Sequence, residues 1–557
     1  MQLAEAFQRY SDLLDLAESK LAADELSAAA ALAQVAARYA FPANVGLFGS
    51  PRLERLLLRL GARIPVGEFR SAVLSAEPRR VLHVLSYAKP IGGDSRFAWR
   101  WIQQDPTRCH SVAITSQLDV SQTYQIPQVL QDAVMRSGGF LRALRTAGSR
   151  PMEQAQELRE LCREADVIVL HAYPYDIIPV LALASGCDGA KTVLVNHSDH
   201  TFWVGSSVAD IIVHLRTQSA EFLETRRGLD PSKSTILPIP LDVATVATKN
   251  DTERQLRRAK ARRALGFEAH SIVLLTIASP FKYEAPGQTG FLELVMPVIQ
   301  RYPKAQLIAI GPAQDGAWSV AHANTQGRIV ALGRRWGNDE FLAAADIYLD
   351  SVPFSSITSL LEAGSCGLPL IGIRPPRPAL SLLGAGAPGL TNVMELAENV
   401  DSYQEMLGRL INDEALRRQV GQRTQSQIHS LHTGQNWTDA LEAAYQFLDG
   451  CRSRGCVIQD DDTFEGDELC RALVQLFRKV QGRMRVRQLI GEHVGALPYR
   501  SRVQTTWQLY RKGFELCLMN FLPPPSDAMV RGLGRRAKKV LGRSLQIGPR
   551  ASARSPV

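Results

Sequence analysis

The chain of 557 residues has little cysteine, eight in all, at irregular spacing. That argues against a disulfide-built secreted scaffold and makes a reducing, cytoplasmic compartment the expectation. Cys451, Cys456 and Cys470 match no zinc-ribbon or zinc-finger spacing, and no histidine lies close by, so they read as free thiols around a linker. No apolar run approaches the ~18 residues that span a bilayer. The first turns carry Glu5, Asp12 and Asp15 where a signal peptide would be apolar. Any membrane contact is therefore expected to be peripheral, on the inner face. Acidic residues are scarce in one place. Residues 469–557 hold 18 Lys and Arg against Glu492, Glu515 and Asp527, so the formal net charge of +9 belongs to this segment and the remainder carries −6. The mildly acidic body shows no RNA- or DNA-binding motif, and nucleic acid is not an expected partner.

What is present is an ordinary globular balance, 45% apolar and 21% charged. Residues 1–66 read as helical hairpins: Leu13, Leu14, Leu16 and Leu21 recur at helical spacing, Phe41-Pro42 breaks a second helix, and Ser50-Pro51 starts a third that stops at Gly61. From residue 80 short apolar runs alternate with helical stretches. Strands are expected at 81–86, 112–115, 167–171, 192–196 and 211–214. A second set follows at 272–278, 306–311, 328–332, 347–350 and 369–373. Near-continuous apolar strands fit parallel sheets buried on both faces. The economical reading is two doubly wound α/β domains, 80–245 and 268–450, with the ligand cleft at their strands' carboxyl ends. An acidic linker, 460–468, then leads to a basic helical extension and tail, 469–557.

Four loops follow strands. Lys89-Pro90-Ile91-Gly92-Gly93-Asp94-Ser95 has two glycines that let backbone approach a ligand, with a tight turn and no ligand as the equal alternative; it is no GxGxxG, so a dinucleotide is not indicated. Asp350-Ser351-Val352-Pro353-Phe354-Ser355-Ser356-Ile357-Thr358-Ser359 leads into a helix. The free N–H groups and hydroxyls at its start suit a diphosphate, and Glu362, one turn in, suits ribose hydroxyls. Ser279-Pro280-Phe281-Lys282 places a lysine where it can neutralise phosphate; a surface lysine is the plainer alternative. Asn196-His197-Ser198-Asp199-His200, with His171 on another strand, offers acid–base groups; a metal site and a satisfied polar cluster are both open readings.

In this order the loops resemble the GT-B glycosyltransferases, two facing Rossmann-like domains, over roughly 80–450. The opening strand with Pro90-Ile91-Gly92-Gly93 is similar to the retaining family of sucrose and mannosyl transferases. So are Ala209-Asp210-Ile211-Ile212, Ile236-Leu237-Pro238-Ile239-Pro240, Leu332-Gly333-Arg334 and Ala345-Asp346-Ile347. Phe354 stands where that family has the first of two glutamates; Glu362 matches the second. The 350–369 stretch resembles instead the O-GlcNAc transferase family. The resemblance implies a nucleotide-sugar co-substrate with no resident cofactor and no metal. Donor contacts would come from Gly92, Gly93, Ser279, Lys282, Gly333, Ser356, Thr358, Ser359 and Glu362, and catalytic ones from His197 and Lys282. The acceptor would be a glycan, a lipid-linked species or a protein, as in bacterial-type glycan or glycoconjugate assembly. From their charge, residues 469–557 read as a docking element for an anionic membrane face or an acidic partner, with a solvated helical extension and tail as the plainer alternative. Two rivals are a nucleotide-sugar epimerase, for which no catalytic acid pair is evident, and a non-catalytic nucleotide-sugar-binding scaffold.

Overall fold

The computed structural model describes residues 3–43, 45–65, 79–117, 125–145, 150–186, 189–242, 251–268, 270–284, 290–335, 337–375, 378–452, 454–457, 459, 461–481, 486–515 and 518–522. The first sheet has seven strands: β1 (Arg80–Leu85), β2 (Cys109–Ile114), β3 (Leu141–Ala143), β4 (Val167–His171), β5 (Lys191–Asn196), β6 (Ile211–His214) and β7 (Ser234–Ile236). Their order is β3-β2-β1-β4-β5-β6-β7 and every pairing is parallel. The second sheet holds β8 (Ile272–Ile277), β9 (Ala305–Ile310), β10 (Ile329–Ala331), β11 (Ile347–Leu349), β12 (Leu370–Ile373) and β13 (Glu395–Ala397), ordered β10-β9-β8-β11-β12-β13 and again all parallel. The strands expected from apolar runs are all here. The three that sequence reading passes over, β3, β7 and β13, are three-residue edges, only partly buried and therefore without an apolar run.

Helices Leu3–Ala22, Leu26–Ala43 and Pro51–Gly61 cap the first sheet and share its core through Leu13, Leu32, Leu57 and Leu181. The second of them runs through Phe41-Pro42 instead of breaking there, with Pro42 in its last turn. Ser50 caps the third as its sequence suggests, its hydroxyl accepting from Leu53 N at 3.0 Å. Buried Glu54 accepts from Gly205 N and Ser206 N, and the Arg159 guanidinium donates to the carbonyls of Gly61, Ile64, Leu181 and Ala182.

The C-terminal part departs from its reading as linker and appendage. Asp462 accepts from Ser50 Oγ at 2.8 Å and Arg52 N at 3.2 Å, while Glu465 and Asp467 pair with Arg226. These acids thus dock onto the N-terminal helices and the first domain. Asp460 lies outside the described residues. Helix Glu468–Gln481 buries Leu469, Leu473 and Leu476 against Phe48, Phe222, Phe354, Leu380 and Leu383, and so touches both domains. Helix Gly434–Gly450 also crosses to the first domain, through Glu442 on Arg108 at 2.7 Å and Asp449 on Arg79 at 2.7 Å. The basic positions from Arg531 onward lie outside the described residues.

Candidate functional site

A cavity of about 690 Å³ lies between the carboxyl ends of the two sheets. It has the size of a small-molecule site and the position that open parallel sheets give their ligands. A second cavity of about 680 Å³, lined by Ser271, Asp346 and Leu368, lies at the opposite, amino ends of β8, β11 and β12.

The floor is organised by Asp350, which follows β11 and is buried. Its carboxylate accepts from Ser351 N at 2.8 Å, Ser356 N at 3.1 Å and the Ser355 hydroxyl. Burial raises its pKa to about 6 against the pull of those donors. The loop so fixed delivers helix Ile357–Ser365, whose first turn, Ser356 to Ser359, lines the cavity. The opening N–H groups of a helix have no partner within it, so this turn offers donors and a positive dipole end. Lys282 Nζ donates to Ser355 O at 2.8 Å and sits 4.4 Å above the Phe354 ring. Burial, then Arg216, lowers its pKa to about 7, against Asp350. Arg334, Arg335 and Ser279 line the same wall. Gly311 completes it: a Cβ there would meet Ala278 O at 1.8 Å, so the two strand ends approach closely only because it is glycine.

The first domain supplies the opposite wall. Gly92, at φ +155°, leads into helix Gly93–Gln104, and a Cβ on Gly93 would meet Thr358 Oγ1 at 3.1 Å. The two loops therefore face each other across the cleft. Asp94 already satisfies the dipole of the Gly93 helix, so an anion is better placed on the Ile357 helix. His197 lines the cavity, with Phe97 edge-on at 5.5 Å. Burial lowers its pKa to about 4, against Asp94 and Asp199.

The structure thus gathers Gly92, Gly93, His197, Ser279, Lys282, Ser356, Thr358 and Ser359 around one cavity. Two expected donor contacts stand apart. Gly333 closes a turn behind the wall, its N–H on Pro312 O and its carbonyl on Gly311 N, and it is Arg334 that lines the cavity. Glu362 is 8% exposed and is held by Arg96 at 2.7 and 2.9 Å and Arg100 at 2.8 Å, both from the first domain. His200 does not join His171 and His197 as a ligand set; it stacks on Phe477 at 5.6 Å and meets Phe354 edge-on at 4.5 Å. Sequence reading missed Arg216, Arg335, Phe281 and Phe477. The last comes from the C-terminal extension, and no local pattern ties it to residue 354. Pro286, which follows Lys282 in the same loop, lies outside the described residues.

No family model matches the sequence, and no curated protein matches it either. Among solved structures, a glycosyltransferase from Rickettsia africae superposes with TM-score 0.50 at 11% identity, over 67% of this chain and 99% of that one. HepE of Anabaena, solved with UDP and glucose, gives TM-score 0.49 at 14% identity, over 67% and 100%. An O-GlcNAc transferase mutant of Thermobaculum terrenum gives 0.45 at 15%, over 81% and 83%. Two parallel sheets in the order just described, a cleft between their carboxyl ends and the match to the Rickettsia africae glycosyltransferase give this chain the GT-B fold, with helical extensions at both ends.

Proposed function

We propose that this chain transfers a sugar from a nucleotide-sugar donor to an acceptor hydroxyl. The observation that carries the reading is the meeting of Lys282, Arg334, Arg335 and the first turn of helix Ile357–Ser365 on one wall of the cleft. Together they form a cationic seat for a departing diphosphate, and charge developing on a leaving group is where such donors act most strongly. The reading assigns this neutralisation to protein groups and calls for no metal ion. Gly92-Gly93 would close over the phosphates or sugar, and His197 would contact the sugar or take a proton. Calorimetric titration with a panel of nucleotide sugars, followed by a donor-hydrolysis assay, tests it. Binding of one donor with turnover is the expected result; no binding by any of them sinks it. Two observations favour the non-catalytic scaffold as second reading: Phe354 occupies the place of an acid, and Glu362 is engaged by two arginines. Binding without turnover would select that reading.

The acceptor side draws on a surface feature. Tyr499, Trp507 and Tyr510 are exposed on one face of helix Tyr499–Arg511, with Leu518 and Leu522 nearby in the chain. Arg500 and Arg511 are exposed beside that face. Aromatic and basic groups so mixed suit an anionic bilayer surface and a lipid-linked acceptor. Among the described residues no helix is long and apolar enough to cross a membrane. Cutting the chain before the extension would uncover Phe48, Phe354 and Leu380, so point changes are the cleaner test. Co-sedimentation with phosphatidylglycerol vesicles is expected to fall several-fold in a Trp507→Ala, Tyr510→Ala double variant. Unchanged binding would remove the membrane role.

A further inference from the structure

Four of the chain's 11 histidines form a single hydrogen-bonded row through the first sheet. His110 on β2 stands 3.0 Å from His83 on β1, His83 stands 3.0 Å from His171 on β4, and His171 stands 3.2 Å from His197 after β5. His83, His110 and His171 are at most 2% exposed, in strands whose other positions are largely apolar. Backbone carbonyls would satisfy buried imidazoles as well. Here the partners are one another, and the row ends at the cleft.

The atoms that meet fix where the protons lie. His110 Nε2 stands 3.0 Å from the carbonyl oxygen of Asp105 and 3.3 Å from that residue's carboxylate. A carbonyl only accepts, so a neutral His110 carries its proton on Nε2 and is bare on Nδ1. That bare nitrogen accepts from His83 Nε2, which leaves His83 Nδ1 bare for His171 Nε2. His171 Nδ1 in turn accepts from His197 Nε2. One carbonyl thus sets four tautomers in series. The far end is itself anchored: the Asp105 carboxylate accepts from Arg108 at 2.9 Å and from the Tyr445 hydroxyl at 3.3 Å, on the helix that crosses from the second domain.

We infer that His171, His83 and His110 are positioning residues that hold His197 as its Nε2–H tautomer, leaving Nδ1 as a lone-pair acceptor for a hydroxyl in the cleft. Naming that hydroxyl as one of a sugar donor or its acceptor rests on the transfer reading above; the tautomer itself does not. Burial keeps His83 and His171 well below the usual histidine pKa and His197 at about 4, so these three rings are neutral near pH 7 and each has one donor and one acceptor nitrogen to spend.

The test is a long-range nitrogen–proton correlation spectrum of the full chain, ligand-free, labelled with nitrogen-15 histidine. The His197 signal is identified by its loss in His197→Gln. The expected result is the Nε2–H tautomer at His197, kept in His110→Asn, whose amide oxygen still accepts from His83, and mixed with the Nδ1–H form in His110→Leu. An Nδ1–H tautomer in the wild type overturns the inference, and so does an unmixed one in a folded His110→Leu. Should His110→Leu fail to fold, the wild-type spectrum still decides. If nucleotide sugars are turned over, His110→Leu is also expected to lower kcat about 10- to 100-fold with donor KM little changed, as for other partners that orient an imidazole. The spectrum needs no donor, so the tautomer at His197 is decided even if the transfer reading fails.

Discussion

Lys282→Ala is expected to lower donor turnover by about 10²–10³-fold, the usual loss when one stabiliser of a developing anion is removed from a closed site. The ammonium sits above Phe354 and donates to Ser355 O, a neutral acceptor that satisfies one of its three protons. Its pKa of about 7 gives the site a pH signature. A diphosphate favours the protonated form, so donor affinity should be highest below pH 7 and fall up to tenfold per pH unit above it. Calorimetry in two buffers of different ionisation heat should show proton uptake on binding above pH 7. Stability moves the other way. Between about pH 7 and the ordinary lysine value of 10.5 the unfolded chain holds a proton that the folded chain has released. The fold therefore gains stability as pH rises through that window. Lys282→Met should abolish both slopes, melt no lower than wild type at pH 7, and still turn over donor far more slowly. Wild-type kcat/KM in both variants would remove Lys282 from the mechanism.

This lysine also shows how much of the candidate site is legible in the sequence. Residues that follow a strand and open a helix declare themselves by local pattern, so the alternation of apolar runs and polar loops points to Gly92, Gly93, His197, Lys282, Thr358 and Ser359, which line one cavity. The two sheets came from the same signal, apart from edge strands too short and too exposed to carry one. Illegible were contacts between distant segments. Nothing near residue 354 announces that Phe477 and His200 close an aromatic box around it. Charge composition is blind to such contacts as well. A run of acids reads as a solvated linker until Ser50, Arg52 and Arg226 are found opposite it. The four histidines lie far apart in sequence, and only the order of strands β2, β1, β4 and β5 sets them in a row.

Glu362→Gln is expected to have the largest effect on the closure of the two domains. Its carboxylate bridges Arg96 and Arg100 of helix Gly93–Gln104 to helix Ile357–Ser365, and both Arg100 and Glu362 are 8% exposed. Removing one partner of a buried ion pair leaves the other charge uncompensated, at a cost of about 3–5 kcal/mol. Burial alone would raise the Glu362 pKa, but Arg96 and Arg100 outweigh it and hold the carboxyl below its ordinary value of 4.5. The bridge therefore contributes fully above pH 4.5 and is lost as pH falls through the lowered value. Hydrogen exchange along both helices should report the opening, faster in Glu362→Gln at pH 7 and in the wild type only on acidification. The same bridge bears on the donor. Three of the carboxylate's roughly four acceptor positions are already taken, leaving one, on Oε2, for a ribose hydroxyl. Arg96→Gln frees two of them while Arg100 keeps the bridge. If Glu362 receives ribose, this variant should bind donor more tightly than wild type and Glu362→Gln more weakly. If Glu362 serves only to pin the domains, both variants should bind donor more weakly, in proportion to their faster exchange.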